Sequence, residues 1–208
     1  MTMCTHADAL RWVAFGTALF TEQLAALDER EMTLPCGLPG WTRKHLLAHV
    51  AANADALGHL VHWAATGEPT PMYSSPAQRS ADIESGATLS ASELRTWVPR
   101  SAQRLTDAMA ALTEPQWHTE VRTAQGRAVP ATEIPWLRAR EVCVHAVDLG
   151  TGVRFADLPE EFLTALVADI SAKRELRAIP DGPLPEVAAY LAGRSHSLAE
   201  VPDLGPWL

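Results

Sequence analysis

Ile134-Pro135-Trp136-Leu137-Arg138-Ala139-Arg140-Glu141-Val142-Cys143-Val144-His145-Ala146-Val147-Asp148-Leu149-Gly150-Thr151-Gly152 is the stretch that decides the fold. Proline suits the first turn of a helix, where its missing N–H loses no bond, and glycine suits the left-handed end. The spacing of Pro135 and Gly150 therefore predicts one helix between them. Glu141 and His145 stand four positions apart, so at about 100° per residue their side chains point within about 40° of each other. Arg138 and Asp148 fall on the same side, set between apolar Trp136, Val142, Val144 and Val147. The run from Val142 to Leu149 is too apolar for a fully solvated helix. Its polar groups are expected to be partly buried, and buried charge needs a partner.

Outward from this helix the chain repeats the helical period. Ala7 to about Arg30 carries Leu10, Val13, Leu19, Leu24 and Leu27 with Trp12, Phe15 and Phe20, a wide core-facing stripe. Pro35, Gly37, Pro39 and Gly40 mark a loop. A second helix is expected from Thr42, as N-cap, to about Thr66. It carries His45, His49, Asn53, His59 and His62 among Leu46, Leu47, Val50, Leu57 and Leu60. Gly67 to Leu89 reads as a long connection rich in Pro, Ser, Gly and Ala, of the kind that crosses a bundle or lines a site. Ser90 and Glu93 have the spacing of a capping box, and Leu89 and Leu94 that of a hydrophobic staple. They start a third helix running to about Leu112, with Pro99 expected to bend it. Val121, Thr123 and Val129 around Gln125-Gly126 suggest a short hairpin.

Four long helical patterns with one long connection predict a mainly α protein built on a four-helix bundle with a long crossover. Beyond Gly152, helices are expected from Pro159 to about Arg177 and from Pro185 to Leu191, the last stopped by Gly193. The expected division is a bundle domain of residues 1–152 and a C-terminal region of residues 153–208. That region is too small for an independent core, which predicts that it packs on the bundle.

Composition narrows the function classes. The chain has 208 residues, 47% hydrophobic and 20% charged, an ordinary balance for a folded domain. A net charge of −8 and an isoelectric point near 5.4 argue against nucleic acid or an anionic membrane as the main partner. An acidic substrate would need a local cluster of arginines. The first residues, with Cys4, His6 and Asp8, lack a signal-peptide pattern, and no apolar run reaches the roughly 20 residues that span a bilayer. Cys4, Cys36 and Cys143 are far apart with no CxxC spacing. A disulfide framework is not expected, and the cytoplasm is the expected compartment.

A Glu and a His one turn apart fit either a metal site or a structural ion pair. A metal needs a third ligand, which in a helical bundle comes from an inward-facing His on a neighbouring helix. His49, in mid-helix among Leu46, Leu47 and Val50, is preferred. His45, one turn earlier, makes a competing His-x-x-x-His pair.

Gly40-Trp41-Thr42-x-x-x-Leu46-Leu47-Ala48-His49, followed by Arg138-x-x-Glu141-x-x-x-His145-x-x-Asp148-Leu149, resembles the mycothiol-dependent maleylpyruvate isomerase family, within the wider DinB-like bundle superfamily. The resemblance covers about Ala7 to Gly152, and Val187 to Arg194 is similar to the close of that family's C-terminal region. It implies that His49, Glu141 and His145 are zinc ligands and that the cofactor is the low-molecular-weight thiol mycothiol. It also implies a small acidic or electrophilic substrate. Two imidazoles and a carboxylate leave zinc one open position, where it favours the thiolate of a thiol whose pKa is ordinarily near 8.5.

The activity implied is cis-trans isomerisation of maleylpyruvate to fumarylpyruvate by thiolate addition, rotation and elimination. Arg194, from the C-terminal resemblance, and Arg138, from its face, are the candidate substrate-binding cations. Asp148 is the candidate partner behind a ligand. Cys143, off the ligand face, reads as a packed apolar residue. Two other readings stay open: an S-transferase joining mycothiol to an electrophile, and a non-catalytic metal- or thiol-binding bundle. The ligand set also suits nickel, cobalt or iron, the sequence leaves the oligomeric state open, and the C-terminal region reads as short for the family's second domain.

Overall fold

The structure, a computed structural model, describes residues 4–205 and residue 207. Among them are nine α-helices and one two-stranded hairpin. Contacts divide the chain into two compact units, one spanning His6–Leu149 and the other built from Gly150 onward.

The first unit is the predicted four-helix bundle. Its long helices are α1 (His6–Ala26), α3 (Arg43–Thr66), α5 (Ala91–Ala110) and α7 (Ile134–Asp148). Helix α1 packs on α7, α7 on α3, α3 on α5, and α5 back on α1, which closes the ring around one core. Leu46, Leu47, Leu57 and Leu60 of α3, Leu94 and Leu105 of α5, Phe20 and Leu24 of α1 and Ile134 and Val142 of α7 are buried there. Helix α7 is buried nearly all round, as its apolar sequence requires.

Helix α1 stops earlier than its periodicity suggests. Asp28 accepts a hydrogen bond from the Glu31 amide at 2.7 Å while its own amide donates to Glu31 Oε2 at 2.8 Å. This reciprocal cap starts a separate short helix, α2 (Glu29–Met32). The stripe is also narrower than expected. Leu10 and Phe15 face solvent, and the buried line runs through Ala9, Trp12, Val13, Gly16, Phe20 and Leu24. Gly16 is required there: a Cβ on it would lie 2.6 Å from Val142 Cγ2 and 3.1 Å from the Cys143 amide nitrogen.

The connection from Gly67 to Leu89 contains a helix, α4 (Pro76–Ala87), where a loop was expected. Ser75 caps it, accepting from the Gln78 amide at 3.0 Å, and Pro76 occupies its first turn. Only Ile83 and Gly86 are buried along it, so it shows no apolar period. It nevertheless packs on α3, because Gly86 lets its backbone approach Ala48 and Trp97.

Ser90 and Glu93 cap α5 as their spacing predicts, and Pro99 lies inside that helix. A four-residue helix α6 (Glu114–Trp117) precedes the hairpin of β1 (Glu120–Arg122) and β2 (Ala128–Pro130), antiparallel with Val121 opposite Val129. A 3₁₀ turn, Ala131–Glu133, leads into α7. The C-terminal carbonyls of α7 are satisfied from elsewhere. The Gly37 amide donates to Asp148 O at 2.6 Å, and Arg43 Nε donates to Leu149 O at 2.9 Å. Gly150 then takes φ 68°, the predicted stop.

In the second unit α8 (Glu160–Lys173) packs on α9 (Leu184–Leu191). Tyr190 donates its hydroxyl hydrogen to Pro202 O at 2.9 Å, and Arg174 Nη2 donates to Gly205 O at 3.0 Å. No described helix is long and apolar enough to cross a membrane.

Candidate metal centre

Helices α3 and α7 bring together the two parts of the pattern. His49 lies in the second turn of α3, and Glu141 and His145 lie one turn apart on α7. Their ligand atoms all fall within 4.8 Å of one another. His49 Nε2 stands 3.0 Å and His145 Nε2 3.3 Å from the same oxygen, Glu141 Oε2. The two imidazole rings meet edge to face with centroids 5.0 Å apart.

Burial sets the electrostatics. Loss of water disfavours the His49 imidazolium and lowers its pKa, despite the hydrogen-bonded Glu141 carboxylate. Burial also works against charge on Glu141, but the two histidines outweigh it and hold its carboxyl well below the usual range. At His145 burial opposes the charge, and the Asp148 and Glu141 carboxylates overcome it and raise the pKa.

The residues fit a divalent cation. His145 Nε2 is buried without hydrogen-bond geometry to any partner, although it faces Glu141 at ion-pair distance. A nitrogen so placed is an open ligand atom. Its other ring nitrogen, Nδ1, is 2.8 Å from Asp148 Oδ2, which fixes the ring and directs Nε2 to the group. The Glu141 side chain keeps 14% exposure against 6% for His49 and 1% for His145. The group is therefore reachable from solvent on the Glu141 side, where a further ligand can approach.

His45 does not join this group. Its Nδ1 is 2.7 Å from Thr42 Oγ1 and 3.2 Å from the Thr42 amide at the start of α3, and its Nε2 is 3.5 Å from Glu84. His59 Nδ1 lies 3.2 Å from the carbonyls of Pro71 and Met72, and His62 is exposed.

Arg138 is 1% exposed. Its Nη1 donates to Val50 O at 2.8 Å and Asn53 Oδ1 at 2.9 Å, joining α7 to α3. Burial lowers its pKa to about 10, opposed by Glu141 and Asp55, so it stays charged at neutral pH. Arg194 lies in the second unit and donates to the carbonyls of Ala192 and Trp207. Cys143 is fully buried, and burial raises its thiol pKa.

Two neighbours of the group were not singled out from sequence. Arg79 on α4 places Nη2 3.4 Å from His49 Nδ1. Tyr73, whose pKa is raised by burial, interacts with both Arg79 and Glu141. Tyr73 also lines a cavity of about 350 Å³ with Ala52, Ala56, His59, Asp82 and Trp97. The signal that could have found Arg79 is Ser75-Pro76, a cap and first-turn proline that place Arg79 one turn into a helix. Trp41 stands against the group, its ring centroid 5.5 Å from that of His49.

Comparisons with known proteins give the family. Residues 13–150 match the family described as mycothiol maleylpyruvate isomerase N-terminal domain. The crystal structure of a mycothiol-dependent maleylpyruvate isomerase superposes with a TM-score of 0.90 at 38% identity, covering 100% of both chains. A histidine-to-alanine mutant of such an isomerase superposes with a TM-score of 0.92 at 38% identity, again over 100% of both chains. Both matches run over the full length of the chains, the C-terminal region included. No curated protein sequence matches the chain.

Proposed function

The chain belongs to the mycothiol maleylpyruvate isomerase family, and on that premise we propose that it is a zinc- and mycothiol-dependent cis-trans isomerase converting maleylpyruvate to fumarylpyruvate. The observation that carries the reading is the convergence of His49, Glu141 and His145 within 4.8 Å, with three different side chains each offering a ligand atom.

These residues would hold the ion, and when bound it would supply positive charge and an open position that favours the thiolate form of a thiol. The chain's own groups prepare the rest. Asp148 holds the His145 ring in one orientation, and Trp41 walls the group. Glu141 leaves it open on one side. Cys143, buried with a raised pKa, is no competitor to an external thiol.

In the reaction the thiol sulfur bonds to one carbon of the cis double bond, and the electron pair moves into the conjugated carbonyl as an enolate. The former double bond rotates as a single bond, the enolate re-forms the carbonyl, and the carbon–sulfur bond breaks. The thiol returns unchanged and the alkene is trans.

Thiol accounting tests this. With mycothiol far below maleylpyruvate in concentration, an isomerase forms fumarylpyruvate in large excess over the thiol and returns the thiol intact. Stoichiometric loss of mycothiol into a stable thioether would instead assign an S-transferase.

A further inference from the structure

Arg79 is distinguished from the other arginines near the group by what it lacks. Arg138 is committed to the Val50 carbonyl and Asn53, whereas Arg79 has no carboxylate at ion-pair distance among the described residues. Its Nη2 stands 3.4 Å from His49 Nδ1, and its charge acts on the Tyr73 hydroxyl. It is half-buried, on a helix that packs directly on α3. A guanidinium in that position has donors for a planar carboxylate.

The contact with His49 is tied to one form of the ring. Both contacts fit together in one tautomer of the neutral ring: with the hydrogen on Nε2, 3.0 Å from Glu141 Oε2, Nδ1 has the lone pair that can accept from Arg79. A cation held through Nε2 reverses this, because the neutral ring then keeps its hydrogen on Nδ1. Two donors would face each other, and the guanidinium must leave.

We propose that Arg79 receives a carboxylate of the substrate, and that cation binding at His49 releases it for that role. The inference rests on the isomerase reading for the identity of the substrate, but its chemistry requires only a small dicarboxylate. Charge recognition is thereby coupled to metal occupancy. The coupling is reciprocal: a dicarboxylate that engages Arg79 strengthens cation binding.

The test uses zinc and maleate as probes, with wild type, Arg79→Gln and Arg79→Lys, each checked for helical content by circular dichroism. Calorimetry on the zinc-loaded proteins is expected to show maleate bound at least about tenfold more weakly by Arg79→Gln, with Arg79→Lys intermediate. Competition with a chelator is expected to show zinc held several-fold more tightly by Arg79→Gln than by wild type in the absence of maleate, because the competing contact is gone. With maleylpyruvate, Arg79→Gln raises KM more than it lowers kcat.

Equal maleate affinity in loaded wild type and Arg79→Gln, or no maleate binding by loaded wild type, overturns the carboxylate role. Unchanged zinc affinity overturns the release. If maleate binding depends on Arg79 but wild type does not isomerise maleylpyruvate, the isomerase reading fails and this inference stands. If Arg79→Gln isomerises like wild type and binds maleate equally, the reverse holds.

Discussion

Asp148 Oδ2 lies 2.8 Å from His145 Nδ1, three residues away on the same helix, with both side chains 1% exposed. A buried imidazole tied at one nitrogen presents the other in a fixed direction, and here that nitrogen is the one facing Glu141. The backbone of Asp148 is anchored separately by the Gly37 amide, so the side chain can be altered without releasing the helix end. Asp148→Asn is expected to keep the fold and lower zinc affinity about 10–100-fold, read by chelator competition. Unchanged affinity would show that the ring needs no such tie.

Arg138 is expected to behave as a tie between helices. Arg138→Met removes the donor of the buried Asn53 Oδ1 and leaves the Val50 carbonyl with only its helical bond, and a buried polar group left without its partner costs about 1–3 kcal/mol. Denaturant unfolding is the measurement. A raised KM at unchanged stability would instead give Arg138 a direct role with substrate.

Gly16 sets how closely α1 approaches α7. Alanine there has the better helix propensity, worth about 1 kcal/mol, but its Cβ meets Val142 Cγ2 at 2.6 Å and Cys143 Sγ at 2.7 Å. Overpacking of this kind costs about 1–3 kcal/mol, and contact with the backbone nitrogen of Cys143 limits relaxation. Gly16→Ala is therefore expected to lower the melting temperature. A higher one would mean that the helices part without loss.

The cap of α5 makes stability depend on pH. Glu93 Oε2 accepts from Ser90 Oγ at 2.7 Å and the Ser90 amide at 2.8 Å, and these bonds hold its carboxyl below the ordinary value. A depressed carboxylate stabilises the fold fully above its unfolded pKa of about 4.3 and loses that contribution as pH falls through the folded value. The stability difference between wild type and Glu93→Gln should be constant near neutrality and fade in acid. A difference that grows as pH falls would contradict the cap.

The bundle and the ligand pattern were legible for the same reason: the bundle helices bury apolar residues at helical spacing, and His49, Glu141 and His145 lie where those buried faces meet. The capping box at Ser90 and the stop at Gly150 are local chemistry, readable without tertiary structure. Helix α4 was hidden because it buries only Ile83 and Gly86, and a helix held through a glycine contact has no apolar period. Arg79 was hidden with it. Periodicity favoured His49 over His45 only slightly, since four residues of helix turn both nearly the same way. Their difference is tertiary: α7 faces His49, while Thr42 takes His45. Leu10 and Phe15 misled for the opposite reason, being apolar yet turned to solvent where Gly16 makes the contact.

In the proposed function, thiol-dependent isomerisation depends on a metal held by His49, Glu141 and His145. The most direct test is turnover of maleylpyruvate by zinc-loaded protein, run with mycothiol, without it, and with Glu141→Ala in place of wild type. Fumarylpyruvate is expected only when mycothiol, zinc and Glu141 are all present. Equal turnover by Glu141→Ala, or by wild type stripped of metal, would contradict it.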